Sequence, residues 1–175
     1  MGAKELREVE DSQAQSRLKK LRRKPIYLIL ENVYDTYNIG GLFRLADALA
    51  VEKMYLCGEM EIPPNSRIHK ASIGTYKVVP WEYKKSPQEA INELKKKDTK
   101  IIAIEQDKRA QAYTRAEYTT PFALVVGNES AGVTPETLAL CDQIVEIPMW
   151  GINKSLNVIV SAAIVGYWAV SRLKS

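Results

Sequence analysis

The chain has 175 residues and a formal net charge of +4; 46% of its residues are hydrophobic and 26% are charged. These values are typical of a soluble globular protein with one domain and an ordinary core. Cys57 and Cys141 stand apart from each other and from any histidine, which argues against a disulfide framework or a zinc site and predicts two buried, reduced thiols. The single histidine, His69, argues against a Ser-His-Asp triad and a multi-histidine metal centre.

The apolar pattern argues against a membrane protein. The N-terminus is charged and lacks the apolar segment of a signal peptide. The longest apolar run, Val158 to Val170, is too short to span a bilayer and is interrupted by Ser161 and Gly166. We therefore expect a soluble, cytoplasmic protein with no membrane partner.

The net charge is concentrated at the N-terminus. Residues 1–24 hold eight Lys/Arg and four Asp/Glu, so this segment alone accounts for the charge of +4. Such a run is typical either of a solvated helix face or of an RNA-contacting helix, and both interpretations stay open. The sequence predicts a basic, helical N-terminal extension over residues 1–24. Its candidate RNA-binding cations are Arg17, Lys19, Lys20, Arg22, Arg23 and Lys24.

The next segment predicts a strand, a polar loop and a helix. The strand covers Ile26 to Leu30, the loop covers Asn32 to Tyr37, and Asn38 stands where a helix N-cap is expected. Arg44 points away from the apolar stripe of the helix at about 100° per residue, so it faces solvent, a ligand or a partner. The stripe is formed by Leu42, Phe43, Ala46, Leu49 and Ala50.

The middle of the chain continues to alternate strand and helix patterns. Ser86-Pro87-Gln88-Glu89 is a capping box that predicts a helix ending near Lys97. The other expected segments are a strand at Met54 to Cys57, a loop at Glu59 to Gly74, an extended piece at Val78-Val79, a strand at Ile101 to Glu105 and a mostly irregular stretch over 106–121.

The C-terminal third places polar loops beside strand ends and a helix start. These loops are Gly127 to Gly132, Pro148 to Gly151 and Asn153 to Asn157, and open α/β sheets bind ligands at such positions. The flanking elements are a strand at Phe122 to Val126, a short helix from Thr134-Pro135 to Leu140, a strand at Ile144 to Ile147 and a last helix from about Leu156 to Leu173. The order β-α-β-α-β-β-α-β-α predicts an α/β fold, with a mostly parallel sheet flanked by helices.

Two nucleotide-binding classes fit poorly. Gly127 and Gly132 have the spacing of a P-loop, but Val133-Thr134 follows them instead of the lysine that binds a triphosphate. No G-x-G-x-x-G follows any predicted strand, and Gly40-Gly41 lies inside a helix pattern, which argues against a dinucleotide-binding Rossmann site.

Three motifs occur in order along the chain: Asn38-x-Gly40-x-x-x-Arg44-x-Ala46, Gly127-Asn128-Glu129-x-x-Gly132, and Ile147-Pro148-Met149-x-Gly151 with Ser155-Leu156-Asn157-Val158. Together they resemble the SpoU (TrmH-type) branch of the SPOUT methyltransferases, over about Ile26 to Arg172. Ala50-Val51 stands where that family usually has a glycine, and Ile159 replaces a commoner serine. Neither departure touches a position with an expected catalytic role.

The resemblance implies methyl transfer from S-adenosylmethionine to a ribose 2′-hydroxyl in tRNA or rRNA, without a metal. It also implies a homodimer and, within residues 25–175, a C-terminal segment tucked through a loop as a deep trefoil knot, a rare exception among folds. The bent cofactor is expected in this knot, held largely by backbone groups. Its expected binding residues are Val125, Val126, Gly127, Asn128, Glu129, Ile147, Met149, Gly151, Ser155, Leu156 and Asn157.

The resemblance places Arg44 at the chemical step and in contact with RNA. A ribose hydroxyl is a weak nucleophile, so its proton must be removed or its developing negative charge stabilised. Because a guanidinium hardly ever deprotonates, we favour Arg44 as the group that grips the adjacent phosphate and stabilises the alkoxide. A role as the base is the alternative.

Four further residues are catalytic candidates with two interpretations each. Asn38 is a helix cap, or it orients Arg44 or the RNA. Glu129 is expected to fix either Arg44 or Asn157, because a loop carboxylate beside a pocket needs a partner. Ser155 and Asn157 either only cap the last helix or contact RNA or cofactor.

The substrate class remains open between two RNAs. The N-terminal segment is too short for the separate RNA-binding domain that some members of this family carry, and the short chain with only a basic helix favours tRNA slightly over rRNA. A catalytically silent RNA-binding relative would be expected to lack Arg44, Glu129 or Asn157, and all three are present.

Overall fold

The computed structural model of the chain describes residues 21–173 together with Glu5, Glu8, Gln13 and Ser16. Arg17, Lys19 and Lys20, three of the candidate RNA-binding cations, lie outside the described residues. The strands are β1 (Lys24–Glu31), β2 (Val51–Cys57), β3 (Trp81–Lys84), β4 (Lys100–Ile104), β5 (Gln111–Ala112), β6 (Phe122–Val126) and β7 (Gln143–Glu146). The helices are α1 (Thr36–Ala48), α2 (Ser66–Ser72), a 3₁₀ turn (Thr75–Lys77), α3 (Pro87–Lys95), α4 (Pro135–Leu138) and α5 (Val158–Arg172).

The seven strands form one sheet in the order β3-β2-β1-β6-β4-β7-β5, and every described pairing is parallel. Strands buried on both faces need continuous apolar runs, and all five residues of β6 are buried. In the register, Leu28 of β1 lies between Met54 of β2 and Leu124 of β6. The predicted mostly parallel sheet flanked by helices is confirmed.

Helices cover both faces of the sheet. On one face, α1, α2 and α5 pack against alternate strand residues such as Leu28, Leu124 and Val145. On the other face, α3 and α4 cover the intervening residues, including Ile29 and Val125. The strand period of two thus divides the apolar residues into two cores.

Two predicted helix starts are confirmed and one is wrong. The Ser86 side chain caps α3, and the Thr134 side chain caps α4. Helix α1 is capped by Asp35, whose carboxylate accepts from the Tyr37 amide at 2.8 Å, and not by Asn38. Asn38 therefore lies in the first turn of α1, where its side chain is available for contacts outside the helix.

Two middle segments also differ from the expectation. The expected loop at 59–74 contains α2, which is capped by Asn65 and buries Ile68. Seven residues make too few turns to display a helical period. Val78 ends the 3₁₀ turn in a helical conformation, and the next strand, β3, follows it at Trp81–Lys84 instead of lying at 78–79.

Glycines let α1 lie close to its two neighbouring helices. A Cβ added at Gly40 would lie 2.5 Å from the Cβ of Ala71 in α2, and one at Gly41 would lie 2.3 Å from Cδ1 of Ile159 in α5. Arg44 is exposed, as predicted, on the part of α1 between these two contacts. Gly166 of α5 packs in the same way against Leu49, so this part of the small-residue face serves packing inside the chain.

The structure describes three of the candidate RNA-binding cations, Arg22, Arg23 and Lys24, and their environments differ. The Arg23 guanidinium donates to the carbonyl oxygens of Val51, at 2.9 Å, and of Val78, and only 7% of its side chain is exposed. Burial lowers the pKa of Arg23, and the nearby Asp47 opposes that effect. Arg23 therefore holds the start of β1 against Val51 and Val78. A guanidinium buried in this way does not fit the expected contact with RNA. Arg22 and Lys24 are exposed.

Candidate functional site

A cavity lies where β4, β6 and β7 end side by side. These strands are adjacent and parallel, so the loops that follow them meet at one edge of the sheet. The cavity has a volume of about 420 Å³. Its lining residues are Ile104, Glu105, Gln106, Val126, Gly127, Asn128, Glu129, Ser130, Gly132, Glu146, Ile147, Met149, Asn153, Ser155, Leu156, Asn157, Val158 and Ser161.

The loop after β6 is closed by its own hydrogen bonds. The Asn128 side chain accepts from the amides of Ser130 and Ala131, both at 2.9 Å, and Asn128 pairs with Gly132 through backbone bonds. Gly132 has a φ of 69°, which favours glycine. Glu105 accepts from the Val133 amide at 2.8 Å and leaves no space for a side chain at Gly132. The shape of this loop is therefore set by hydrogen bonds within the chain.

Three predicted catalytic residues meet in one hydrogen-bonded group, which we call the amide cluster: Asn38, Glu129 and Asn157. The Asn38 amide nitrogen donates to Glu129 Oε1 at 2.9 Å. The Asn157 amide nitrogen donates to Asn38 Oδ1 at 3.0 Å. The cluster thus joins α1, the loop after β6 and the start of α5. Asn157 also caps α5, because its Oδ1 accepts from the Ile159 amide at 2.8 Å.

Glu129 is an anchored carboxylate. It accepts from the amides of Tyr34 at 3.2 Å and Asp35 at 3.1 Å in addition to Asn38. Burial raises the pKa of Glu129, but these hydrogen bonds outweigh burial and hold the pKa below its usual value. The carboxylate is therefore ionised at neutral pH, and its charge lies beside the cavity.

Arg44 stands apart from the amide cluster. It is exposed, and within residues 21–173 it makes no hydrogen bond or ion pair. Of the two partners expected for Glu129, Asn157 is reached through Asn38, whereas Arg44 is not bonded to the carboxylate. The guanidinium is consequently free to meet a ligand from outside.

Most of the expected cofactor residues line the cavity, and two do not. Val125 is fully buried in the core on the α3 face, and Gly151 is exposed with nothing within 4 Å of its added Cβ. Sequence reasoning missed the contribution of β4, whose end supplies Ile104, Glu105 and Gln106. The missing information was the strand order, because β4 lies between β6 and β7 although it precedes both in the chain. The expected residues in the lining are Val126, Gly127, Asn128, Glu129, Ile147, Met149, Ser155, Leu156 and Asn157.

The described part of the chain contains neither a candidate metal cluster nor a helix that could span a membrane. No group of three or more His, Cys, Asp and Glu that could hold a metal ion occurs within it. No helix in that part is long and apolar enough to cross a bilayer.

The family described as SpoU rRNA Methylase matches residues 25–167. The chain belongs to the SpoU family. The second and third motifs line one cavity, and Asn38 of the first motif is hydrogen-bonded to both, which agrees with this assignment; the resemblance seen in the sequence is confirmed.

SpoU relatives act on different RNAs. The chain is 32% identical to a tRNA (guanosine(18)-2′-O)-methyltransferase of Aquifex aeolicus, over 89% of this chain and 76% of the relative. It is 30% identical to the 23S rRNA (guanosine-2′-O-)-methyltransferase RlmB of Ralstonia nicotianae, over 83% of this chain. The SpoU methyltransferase AviRb of Streptomyces viridochromogenes, solved with AdoMet, superposes with a TM-score of 0.79 at 25% identity over 90% of this chain.

The chain is shorter than several of these SpoU proteins. It spans 58% of the length of the Ralstonia relative and 63% of the AviRb chain. The matched region therefore corresponds to the methylase part that these proteins share.

The segment after β7 is the most exposed part of the site. Trp150 is 93% exposed and Ile152 is 101% exposed. Two hydrogen bonds involve segment 148–156 among the described residues. Gln106 donates to the Lys154 carbonyl oxygen, and the Ser155 amide donates to Asn153 Oδ1 at 3.5 Å. This segment forms one wall of the cavity without being fastened to the core.

Proposed function

We propose that this chain transfers the methyl group of S-adenosylmethionine to a ribose 2′-hydroxyl in RNA. The observation that carries the proposal is the position of the amide cluster, two of whose members line the cavity. A small-molecule site and a group of fixed polar side chains therefore adjoin each other. The names of the SpoU relatives supply the same reaction class.

The cavity suits S-adenosylmethionine in size and in lining. About 420 Å³ lies within the range of small-molecule sites, roughly 300–1,000 Å³. Ile104, Ile147 and Leu156 offer apolar surface, while Glu105 and Asn128 offer polar groups. The loop ends after β4, β6 and β7 would hold the cofactor, largely through backbone groups. When bound, the cofactor supplies an electrophilic methyl group on a sulfonium, so the transfer needs no metal.

Arg44 acts on the RNA side of the reaction. Its exposed guanidinium is available to grip a phosphate next to the methylated ribose with two parallel hydrogen bonds. The same positive charge stabilises the alkoxide that develops on the 2′-oxygen. The proton of the hydroxyl must leave as the oxygen–carbon bond forms, and a base role for Arg44 remains the alternative.

The amide cluster positions the groups around the reacting atoms. Glu129 fixes Asn38, and Asn38 fixes Asn157 at the start of α5. Asn157 therefore has both functions considered for it, as helix cap and as part of the site. Ser155 lies in the cavity lining two residues before it and contacts cofactor or RNA.

The knot and the homodimer belong to the same proposal. The SpoU assignment supports a C-terminal knot formed within residues 25–175. The concentrated positive charge of residues 1–24 supports a basic extension that contacts RNA through cations other than Arg23. Large exposed apolar side chains on the segment after β7 and on α5 support self-association through this face. They are Trp150, Ile152, Leu156, Val160 and Tyr167.

The RNA is tRNA in preference to rRNA. The relative that this chain covers more completely, the Aquifex enzyme, is named for a tRNA substrate, whereas the Ralstonia enzyme is named for 23S rRNA. Both relatives are bacterial enzymes, and bacterial RNA is made and used in the cytoplasm, which supports action in the cytoplasm.

The test is methylation with labelled S-adenosylmethionine on total tRNA and total rRNA, followed by mapping of the modified nucleotide. We expect label at one ribose 2′-oxygen and transfer that survives a metal chelator. Calorimetry is expected to detect binding of S-adenosylmethionine or its demethylated product without added metal. If neither ligand binds, with RNA present or absent, the proposed function is wrong.

A further inference from the structure

Helix α2, which the sequence did not predict, carries cations beside Arg44. Its sequence is SRIHKAS, with Arg67 and Lys70 exposed and no acidic residue in the helix. Ala71 of α2 faces Gly40 of α1. Arg67 precedes Ala71 by one helical turn and therefore lies on the same side of α2, towards α1.

The exposed stripe of α1 runs between α2 and α5. Gly40 faces α2 and Gly41 faces α5, so the surface between these contacts is open to solvent. Tyr37 and Arg44 are exposed on this stripe, and because seven residues make about two helical turns they share one face. We call this exposed stripe, which α2 borders on one side and α5 on the other, the trough; it has an aromatic ring at one end and a guanidinium at the other.

The charge around this trough is positive. Asp47, the one acid in the body of α1, has its carboxylate 4.0 Å from the Arg23 guanidinium. The N-cap residue Asp35 is a further acid beside this surface, and its hydrogen bond from the Tyr37 amide does not neutralise a carboxylate, but the three cations Arg44, Arg67 and Lys70 outnumber it. Arg44, Arg67 and Lys70 are therefore not neutralised by the described acids of their own two helices. Phosphates are the complementary ligand, and an exposed tyrosine provides a surface on which an unpaired base stacks.

We propose that this trough is the track for the RNA strand next to the methylated nucleotide. Arg67 and Lys70 bind its backbone phosphates, and Tyr37 stacks on one of its bases. This proposal rests on the proposed function, and it extends the RNA contact from Arg44 to residues that lie outside the three motifs.

The phosphate contacts are tested with Arg67→Ala/Lys70→Ala against the matched control Lys85→Ala/Lys96→Ala. The control removes the same charge from exposed lysines flanking α3, on the opposite face of the sheet. The affinity for the substrate RNA is measured by fluorescence anisotropy over a series of salt concentrations. We expect the α2 variant to bind roughly tenfold more weakly and to lose about 0.7–0.9 of the salt slope per contact.

Catalytic readouts separate binding from chemistry. Because both residues act on bound and reacting RNA alike, KM for RNA should rise while kcat and cofactor affinity stay unchanged. A salt slope equal to that of the control would overturn the phosphate contacts. A smaller particle mass in light scattering would overturn them too, because α2 would then be a protein interface.

The stacking contact is tested with Tyr37→Ala and Tyr37→Phe. Loss of stacking should weaken RNA binding roughly tenfold or more in Tyr37→Ala, whereas Tyr37→Phe should keep the affinity. Equal loss in both variants, or loss in neither, would overturn stacking. If the wild-type chain methylates RNA while the variants behave normally, only the track is wrong. If the wild-type chain neither binds cofactor nor methylates RNA, the proposed function itself fails.

Discussion

The two walls of the cavity are built differently. The wall formed by the loop after β6 is held against α1 and the segment before it by hydrogen bonds that cross between elements, including three to the Glu129 carboxylate. Among the described residues, one hydrogen bond, from Gln106 to the Lys154 carbonyl oxygen, joins the wall formed by segment 148–156 to the rest of the chain, and Trp150 and Ile152 are almost fully exposed. The first wall is organised by the chain itself, whereas the second presents apolar surface to something outside it.

Because the two walls are held so differently, we assign them different roles in the proposed reaction. Groups that must meet a transition state gain from being fixed in advance, because reorganisation at the moment of reaction is then avoided. The proposed roles of the exposed wall, contact with the cofactor and with a second subunit of the proposed homodimer, carry no such requirement. The fixed wall should therefore control turnover, and the exposed wall should control cofactor retention and assembly.

The largest expected effect comes from Arg44→Ala. Arg44 is exposed, so the free energy of unfolding should change by no more than about 0.5 kcal/mol. Methyl transfer should fall by roughly two to three orders of magnitude if the guanidinium stabilises charge in the transition state. The measurement is single-turnover transfer to the mapped RNA, with cofactor affinity by calorimetry as the control.

Arg44→Lys sharpens this test. An ammonium group cannot reproduce a planar two-pronged grip on phosphate, so we expect little rescue. Near-normal turnover in Arg44→Ala would refute the assignment. Lost cofactor binding would instead place Arg44 on the cofactor side of the cavity.

Glu129→Gln should produce the next largest effect. The amide keeps the shape of the side chain but loses the charge that three donors share. Asn38 and Asn157 are then less firmly placed, and misplacement of about 1 Å at a reacting centre can cost about a hundredfold in rate. We expect a fall in kcat of roughly ten- to hundredfold in the same single-turnover assay. Glu105→Gln, which alters the cofactor side of the same loop, is the comparison, and there cofactor affinity should change more than kcat.

The exposed wall is tested with Ile152→Asp. A charge at the centre of a self-association surface should weaken the dimer roughly tenfold or more, measured by sedimentation over a range of concentrations. Leu21→Asp, at another exposed apolar residue, is the matched control and should associate normally. At protein concentrations high enough to restore the dimer, methyl transfer should recover. An unchanged dimer would move the interface elsewhere on the chain.

The sequence predicted the parts of the fold that have strong local patterns. The apolar strands, the capping box at Ser86 and the exposed position of Arg44 could all be predicted, because burial and capping depend on neighbouring residues. Helix α2 could not be predicted, since its seven residues are held by packing against Gly40 and Phe43 of α1 rather than by a period of their own. The contacts of Arg23 could not be predicted, because its carbonyl partners, on Val51 and Val78, are distant in the chain.

The sequence was equally limited in predicting the candidate site. Motif spacing brought Asn38, Glu129 and Asn157 into one hypothesis, but their order of contact, with Asn38 in the middle, needs the tertiary structure. The part played by Glu105 depends on β4 lying between β6 and β7, and crossovers of this kind leave no local signal in a sequence.

The smallest expected effect is the response of the two walls to acid. The pKa of Glu129 is lowered in the folded chain, so its contribution to stability is complete above the ordinary value, about 4.3, and is lost as the pH falls through the lower folded value. The other wall, segment 148–156, contains no Asp or Glu and should not respond. Thermal midpoints of the wild-type chain and Glu129→Gln, measured from neutral pH downwards, isolate this carboxyl group from the rest. Their difference should be constant above about pH 5 and shrink below about pH 4. A difference that is independent of pH would mean that the Glu129 charge does not hold the amide cluster together.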